Sequence, residues 1–323
     1  MAGHAKAGIA GVALLALATL LGGPPGARAG DGAVLSERFR SLTGASEWRR
    51  VSAVPVPFAT HHPQGFAKVG DALFVSSVEI VERTQRFPQP VDGMDRSAGK
   101  GAGHLFKMDL EGRLLGQITL GEGDIYHPGG IDYDGRHLWV PVAEYRPNSR
   151  SIVYRVDPQT LEAVEVFRFP DHIGGIVHDT EDGTLHGVSW GSRRFYTWKL
   201  GGDGRSVSDA GVPPEKLMKP NPSFYVDYQD CQYAGRGQAL CFGLAEYRTA
   251  PGAPAFSLGG MEQVDLRAGS PLHQVPLRLW TENGTAMSRN PVELEATDTG
   301  IRAYFMPEDD RSHLFVYETG ATR

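Results

Sequence analysis

Apolar and polar positions alternate along most of this chain in short runs that end at glycine- or aspartate-containing turns. The segment HPGGIDYDGRHLWVPVAEY, residues 127–145, is representative. Its two alternating stretches, Ile131 to Tyr133 and His137 to Val142, flank an Asp-Gly turn that supplies the positive φ angles tight hairpins need. A period of two predicts half-buried β-strands rather than helices. We therefore expect an all-β protein.

The same hairpin pattern recurs five times along the chain. Each copy is followed by a third strand and, in most cases, by an outer fourth strand. The unit is therefore four short antiparallel strands repeated about every 45 to 65 residues, which is typical of β-propeller blades. We predict a five-bladed β-propeller. The five hairpins occupy residues 61–80, 127–145, 172–192, 227–247 and 290–308.

The ring of blades is expected to close through the N-terminal part of the chain. The last copy lacks an outer strand because the sequence ends soon after Tyr317. Residues 48–58 precede the first copy and can supply that strand, which would remove an open sheet edge. We predict one propeller domain over residues 48–323, and a closed ring favours a monomer. The polar segment 82–103 is predicted to be a loop, and 206–224 an irregular outer segment of the third blade.

Residues 1–29 have the composition of a secretory signal peptide. Lys6 precedes the apolar run from Ile9 to Leu21, which is short for a membrane span. Ala27-Arg28-Ala29 is a small-x-small cleavage site. We predict cleavage after Ala29, a secreted or periplasmic protein with no membrane association after cleavage, and a separate N-terminal segment at 30–47. An uncleaved membrane anchor is the alternative interpretation.

The overall composition excludes one class of partner. The chain has 323 residues, 41% apolar and 22% charged, with a formal net charge of −6. Lys and Arg are scattered and no basic run is present, so nucleic acid is not an expected partner.

The sequence allows two interpretations of the two cysteines. Cys231 and Cys241 flank the turn-forming residues 234–237, so a hairpin would place them opposite each other. An oxidising compartment permits a disulfide there. Two buried thiols are equally compatible, because cross-strand disulfide geometry is often strained.

The repeat architecture covers residues 48–318. By this architecture the chain resembles a large group of secreted β-propellers. That group includes calcium-dependent lactonases and strictosidine-synthase-like proteins, and the chain is more closely similar to an uncharacterised family of exported five-bladed propellers. Lactonase-type propellers hold a catalytic divalent metal on the channel axis with Glu, Asn and Asp side chains. The resemblance therefore implies a site at the channel mouth. This sequence departs from that ligand set, because histidines occupy three of the five equivalent positions.

One polar residue precedes each innermost strand, and the propeller would gather these residues around one axis. Three imidazoles and a carboxylate form a competent ligand set for a zinc- or manganese-like ion, with calcium kept open by the resemblance. His61 is an alternative ligand in the first copy. Glycines at 129, 130, 174 and 175 are expected to let backbone and substrate approach closely, because they leave no side chain in the channel mouth. The predicted metal ligands are His62, His127, His172 and Asp227, with Asn290 in the fifth position.

A glutamate ends four of the five second strands, on the same predicted face. We expect Glu144 or Glu246 to transfer a proton, together with Tyr145. The first predicted function is a metal-dependent hydrolase or lactonase with a small-molecule or carbohydrate ligand. The four glutamates are Glu79, Glu144, Glu246 and Glu308. The predicted substrate-binding residues are Arg146, Arg248, Gln64, Gln229 and Glu293.

Two other functions fit the same residues. In a polysaccharide lyase, a His or Tyr145 would take the proton beside a uronic carboxylate, which Arg146, Arg248, Arg193 or Arg194 would neutralise. In a non-catalytic propeller the same face would bind a ligand or a protein. The histidines and glutamates would then be hydrogen-bonded structural groups or a solvated face.

Overall fold

The computed structural model describes residues 29–320 together with Met1 and Gly3. The predicted signal peptide thus lies almost entirely outside the described residues. In the part of the chain that is described, no helix is long and apolar enough to cross a membrane. The chain begins with α1 (Ala29–Arg40) and β1 (Arg49–Pro55). Leu35, Phe39 and Leu42 bury this helix end against the core of the last two blades.

The strands form five antiparallel blade sheets and one further two-stranded sheet, which confirms the predicted five-bladed propeller. The blade 1 strands are β2 (His62–Val69), β3 (Ala72–Glu82), β6 (Lys100–Asp109) and β7 (Leu114–Leu120), with β4 (Arg86–Val91) and β5 (Met94–Arg96) between β3 and β6. The blade 2 strands are β8 (Ile125–Pro128), β9 (Asp132–Tyr133), β10 (Leu138–Glu144), β11 (Ser151–Val156) and β12 (Ala163–Phe169).

The other three blades follow the same order from the channel outward. The blade 3 strands are β13 (Ile173–Asp179), β14 (Thr184–Ser189), β15 (Arg194–Lys199) and β16 (Lys219–Pro220), with α2 (Pro214–Leu217) before β16. The blade 4 strands are β17 (Asp227–Tyr233), β18 (Gln238–Arg248), β19 (Ala255–Asp265) and β20 (Ser270–Leu277). The blade 5 strands are β21 (Val292–Ala296), β22 (Ile301–Phe305) and β23 (His313–Thr319).

The ring closes as predicted, because β1 supplies the outer strand of blade 5. It pairs antiparallel with β23, from Arg49 opposite Glu318 to Pro55 opposite His313. The first and last strands of the propeller therefore share one sheet, and this sheet has no missing edge strand.

Two segments are more ordered than their composition suggested. The stretch 82–103, predicted to be a loop, contains the β4–β5 hairpin and the start of β6. Composition rich in Gly and Pro indicates turns, but here the turns connect the end of β3, the β4–β5 hairpin and the start of β6. The segment 206–224 contributes α2 and the two-residue β16, which is the outer strand of blade 3.

Glycines pack the innermost strands against one another, which confirms the expected close approach of the backbone. The Gly130 N–H donates to the Gly174 carbonyl at 2.9 Å. A Cβ on Gly129 would lie 2.3 Å from that same oxygen, and a Cβ on Gly65 would lie 2.5 Å from the Ile131 nitrogen. Only glycine permits such backbone contact.

Buried carboxylates complete the filling of the channel. Asp230 of blade 4 accepts hydrogen bonds from the backbone N–H of Phe66 at 2.7 Å and of Ile131 at 3.1 Å. Asp132 of blade 2 accepts from the backbone N–H of His178 at 3.0 Å and of Tyr233 at 3.1 Å. Burial raises the pKa of Asp132 to about 6 and holds that of Asp230 well above its usual value. These groups fasten four inner strands together along the axis.

The cysteine alternatives are resolved in favour of the disulfide. Cys231 and Cys241 are directly opposite in the β17–β18 register, with a Cα–Cα distance of 4.1 Å, and their sulfurs are bonded.

Candidate functional site

Three of the predicted histidines converge at one mouth of the channel. His62 begins β2, His127 lies in β8, and His172 immediately precedes β13. The His127 and His172 rings are 5.8 Å apart and almost completely buried. Burial, reinforced by the charges of His172 and His62, holds the pKa of His127 well below its usual value. Burial also lowers the pKa of His172 to about 4. Both inner imidazoles are therefore neutral at pH 7.

Two of these rings are fixed by hydrogen bonds and the third has a free nitrogen. His62 Nδ1 lies 2.8 Å from Asp309 Oδ1, and His172 Nδ1 lies 2.8 Å from the Glu144 carbonyl. Asp309 also accepts from Asn290 at 3.0 Å and from Arg289 at 2.8 Å. His127 Nδ1, by contrast, is buried without a hydrogen-bond partner among the described residues. A buried unpaired polar group costs about 1–3 kcal/mol, so this atom is suited to a ligand contact.

An aromatic wall stands over the two buried histidines. Tyr145 stacks on His127 at 4.2 Å between ring centroids, and Trp190 meets His172 edge-on at 4.8 Å. The Arg96 guanidinium covers Trp190 at 5.0 Å, a cation–π contact. Burial raises the pKa of Tyr145, although the nearby Arg96 opposes that shift. The phenol therefore stays protonated and can donate a hydrogen bond at neutral pH.

Sequence reasoning missed Trp190 and Arg96 as parts of this pocket. Trp190 follows His172 by the same number of residues as Tyr145 follows His127, so the repeat alignment contained a signal for it. Arg96 lies at the end of β5. The sequence gives no signal for Arg96, because the composition of segment 82–103 predicts a loop.

The two predicted proton-transfer glutamates lie in opposite surroundings. Glu144 is fully buried and paired with Arg146 and with Arg150, the latter at 2.7 Å. Glu246 is exposed at the outer end of β18 and pairs with Arg248 at 3.0 Å. Arg146 and Arg248 are thus occupied by these glutamates. The catalytic and substrate-binding roles of these four residues stay predictions.

The remaining predicted residues divide between the mouth and the channel interior. Asp227 pairs with Arg193 at 2.9 Å, and its side chain is 59% exposed. Gln64 and Gln229 occupy the β-bulges between Pro63 and Gly65 and between Tyr228 and Asp230, positions that often re-aim side chains at functional sites. Glu293 lies near Asp132 and Lys68, and its pKa is raised well above the usual value by burial. Their roles are likewise untested.

A second group of ligand-type side chains lies on the rim of blade 1. The ligand atoms of His61, Glu79 and His104 all lie within 4.8 Å of one another. Among the described residues, no other three His, Cys, Asp or Glu side chains form such a group. The predicted set of His62, His127, His172 and Asp227 does not form such a group, and its role as a metal site stays a prediction.

Comparison with known proteins identifies a family and several distantly similar structures. A family model described as "Family of unknown function (DUF6454)" matches residues 32–322. None of the curated proteins matches this chain.

Three solved structures illustrate the distant likeness. A luciferin-regenerating enzyme has 9% identity and a TM-score of 0.46, covering 86% of this chain and 98% of its own. The periplasmic gluconolactonase PpgL of Pseudomonas aeruginosa has 13% identity and a TM-score of 0.35, covering 81% and 85%. A DUF4623 family protein from Bacteroides eggerthii has 11% identity and a TM-score of 0.41, covering 88% and 78%.

Proposed function

The chain belongs to the DUF6454 family, and from its site we propose that it is a hydrolase acting on an ester or lactone bond of a small, carbohydrate-like molecule at the channel mouth. The observation that supports this proposal is the buried, neutral imidazole of His127. Its Nδ1 has no partner among the described residues, and Tyr145 stacks on its ring.

The proposed reaction uses His127, the Tyr145 ring that stacks on it, and Arg96 near Tyr145. His127 takes a proton from a water molecule, and the resulting hydroxide attacks the substrate carbonyl carbon. The Tyr145 hydroxyl donates to the carbonyl oxygen as negative charge develops on it, and the positive charge of Arg96 favours the same change. When the bond to the leaving oxygen breaks, the proton on His127 passes to that oxygen. The products are the carboxylic acid and the alcohol.

The shape and composition of the mouth support the proposed substrate class. Trp190 and Tyr145 present aromatic faces, while Arg96, Arg289 and Asp309 supply charged groups around them. A few polar groups on an aromatic wall are typical of sites for small molecules that have both apolar and polar faces. The buried histidines form the floor of the pocket. The ligand is therefore small, or only one end of it enters the pocket.

The export predicted from the first 29 residues forms part of the proposal. The Cys231–Cys241 disulfide supports a secreted or periplasmic location, because disulfides persist mainly in oxidising compartments. The predicted zinc, manganese or calcium ion has no step in the mechanism above, which uses only side chains of this chain.

A turnover assay on the mature protein, residues 30–323, tests the proposal. A panel of sugar lactones and acyl esters is monitored by acid release. His127→Gln should lower kcat/KM by about 100-fold or more because the base is lost. His137→Gln is the matched control, since His137 lies in the hairpin turn of the same blade, at the opposite end of β10 from Tyr145. Circular dichroism verifies that both variants fold.

Two results would contradict the hydrolase. One is a folded wild-type protein that turns over no member of the panel, and the other is full activity in His127→Gln. If His127→Gln does not fold, Tyr145→Phe replaces it, with an expected loss of about 100-fold from the missing hydrogen bond.

A lyase is the second candidate, favoured by one specific feature. Tyr145 lies in the electrostatic field of Arg96 and Arg289, which could neutralise a uronic carboxylate beside the proton to be removed. The arginines first predicted for that task are paired elsewhere, Arg193 with Asp227 and Arg194 with Asp171. New ultraviolet absorbance on incubation with uronic polymers, without acid release from esters, would identify this activity.

A further inference from the structure

The rim group lies at the junction where the propeller ring closes. His61 belongs to the connection between the closing strand β1 and the first inner strand β2, while Glu79 lies on β3 and His104 on β6. Blade 5 holds this connection from the other side. The Asp310 N–H donates to the His61 carbonyl at 2.6 Å, and the Thr60 N–H donates to the Asp310 carbonyl at 3.2 Å.

The spacing between Glu79 and His104 matches two ligands of one ion. Their Oε2 and Nε2 atoms are 3.3 Å apart, the distance of a long hydrogen bond. A charge-assisted hydrogen bond between such groups is shorter, at about 2.7–2.9 Å. Two ligands at the tetrahedral angle around zinc, with bonds of about 2.0–2.1 Å, are separated by about 3.3–3.4 Å. The observed separation therefore equals the edge of a zinc tetrahedron.

The two imidazoles have the spacing expected of a shared ion. The His61 and His104 ring centroids are 5.0 Å apart. With zinc–nitrogen bonds of about 2.0–2.1 Å and the tetrahedral angle, the centroids of two ligating imidazoles lie about 5 Å apart. Phe106 lies 5.4 Å from His104 and 6.3 Å from His61, and it limits the movement of both rings.

The backbone directs consecutive histidines to different sites. His61 has φ of +52°, which is uncommon for a residue other than glycine. Its ring contacts the His104 ring, whereas the His62 ring contacts Asp309 at the mouth. A metal on His61 would therefore hold the peptide that also positions His62.

We propose that His61, Glu79 and His104 bind a zinc-class divalent transition-metal ion that fastens the β1–β2 connection to blade 1. Two histidines and one glutamate are a common protein ligand set for zinc, with a water in the fourth position. The Glu79 side chain is 44% exposed and that of His104 is 14% exposed, so an ion and its water can reach the site from solvent. This proposal stands on its own geometry and does not depend on the hydrolase.

Metal binding by the metal-stripped mature protein tests the proposal directly. We expect one equivalent of Zn²⁺ by calorimetry and elemental analysis. We also expect strong visible absorption bands with Co²⁺ that are typical of a four- or five-coordinate site. Glu79→Gln and His104→Gln should each weaken zinc affinity by about 100-fold or more, beyond the 10–100-fold that loss of a group supporting a ligand costs. Zinc should raise the melting temperature of the wild type but not of these variants.

Glu308→Gln is the matched control, and the mouth supplies a second one. Glu308 pairs with His313 at 2.7 Å on the neighbouring blade but is not a member of a three-ligand group. Glu308→Gln and His127→Gln should both retain wild-type zinc affinity.

Three outcomes would overturn the metal site. The first is a folded wild type that binds neither Zn²⁺ nor Co²⁺. The second is equal affinity in Glu79→Gln and wild type, and the third is loss of zinc in His127→Gln with retention in Glu79→Gln. Because the readout is binding, failure of the hydrolase assay leaves this result interpretable, and the reverse also holds.

Discussion

The tetrapeptide Ala-Glu-Tyr-Arg occurs twice, at residues 143–146 in blade 2 and 245–248 in blade 4, in contrasting environments. In blade 2 the glutamate is fully buried and the tyrosine stacks on His127. In blade 4 the glutamate side chain is 55% exposed, and Tyr247 is 46% exposed beside Phe256. The two tetrapeptides align in the repeat, so their local sequence does not explain the difference.

The different lengths of the two second strands explain why one tetrapeptide is buried and the other exposed. In blade 2, β10 ends at Glu144 and the chain turns inward over the mouth before β11 begins at Ser151. In blade 4, β18 continues to Arg248 and stays paired with β19, with Arg248 opposite Ala255. The blade 4 copy therefore projects beyond the mouth into solvent. A motif acquires a buried or exposed role from where its strand stops.

Stability should show the largest contrast between the two copies. Glu144→Gln leaves Arg146 and Arg150 with a neutral partner in a buried position, and breaking a buried pair costs about 3 kcal/mol or more. Glu246→Gln should change the free energy of unfolding by less than about 0.5 kcal/mol, because its pair is exposed. Urea unfolding measures both. Equal effects would show that the two tetrapeptides have the same energetic role.

Activity should separate the two tyrosines. Tyr145→Phe keeps the stacking on His127 but removes the hydrogen-bond donor, so under the proposed mechanism kcat/KM should fall by about 100-fold. Tyr247→Phe should leave kcat/KM within about twofold. The comparison uses the acid-release assay with a substrate that the wild type turns over. A loss in Tyr247→Phe as large as in Tyr145→Phe would place substrate on the blade 4 projection instead.

Acidification should lower the free energy of unfolding through a histidine next to the blade 2 copy. His172, which contacts the Glu144 carbonyl, has its pKa lowered by burial to about 4, against about 6.5 in the unfolded chain. The unfolded state therefore binds more protons as pH falls below about 6.5. His172 should cost the wild type about 2 kcal/mol of stability by pH 5, all of it regained above pH 7.

The measurement is the free energy of unfolding of the wild type and His172→Gln at pH 7.5 and pH 5.0. The difference between the two proteins should narrow by about 2 kcal/mol at the lower pH. Glu246→Gln should keep the wild-type pH dependence. A constant difference between wild type and His172→Gln would mean that His172 does not resist protonation.

The fold could be predicted from the sequence because each blade repeats one hairpin signal. The closing role of β1 followed from counting, since the fifth copy had no outer strand. The β4–β5 hairpin could not be predicted in the same way. It forms a separate two-stranded sheet outside the repeat, and its turn-rich composition resembles that of a loop.

Only part of the site could be predicted, because the sequence specifies neither the distance between the inner strands nor the direction of individual side chains. The alignment identified His62, His127 and His172 at one mouth, but sequence does not give the radius at which inner strands pack. Contact between Gly129 and Gly174 shows that this radius is small, because these glycines let neighbouring inner strands touch. Similarly, the choice between His61 and His62 depends on a backbone turn with positive φ at His61, which no repeat alignment specifies.

The filled axis has a kinetic consequence for any molecule that reacts at the mouth. Asp230 and the glycine contacts block passage to the opposite face of the propeller. The pocket is therefore a blind well, in which substrate arrives and product departs through one opening. Product that has not yet left prevents the next substrate from entering, so product inhibition should be competitive, and release through that opening can set the upper limit of kcat.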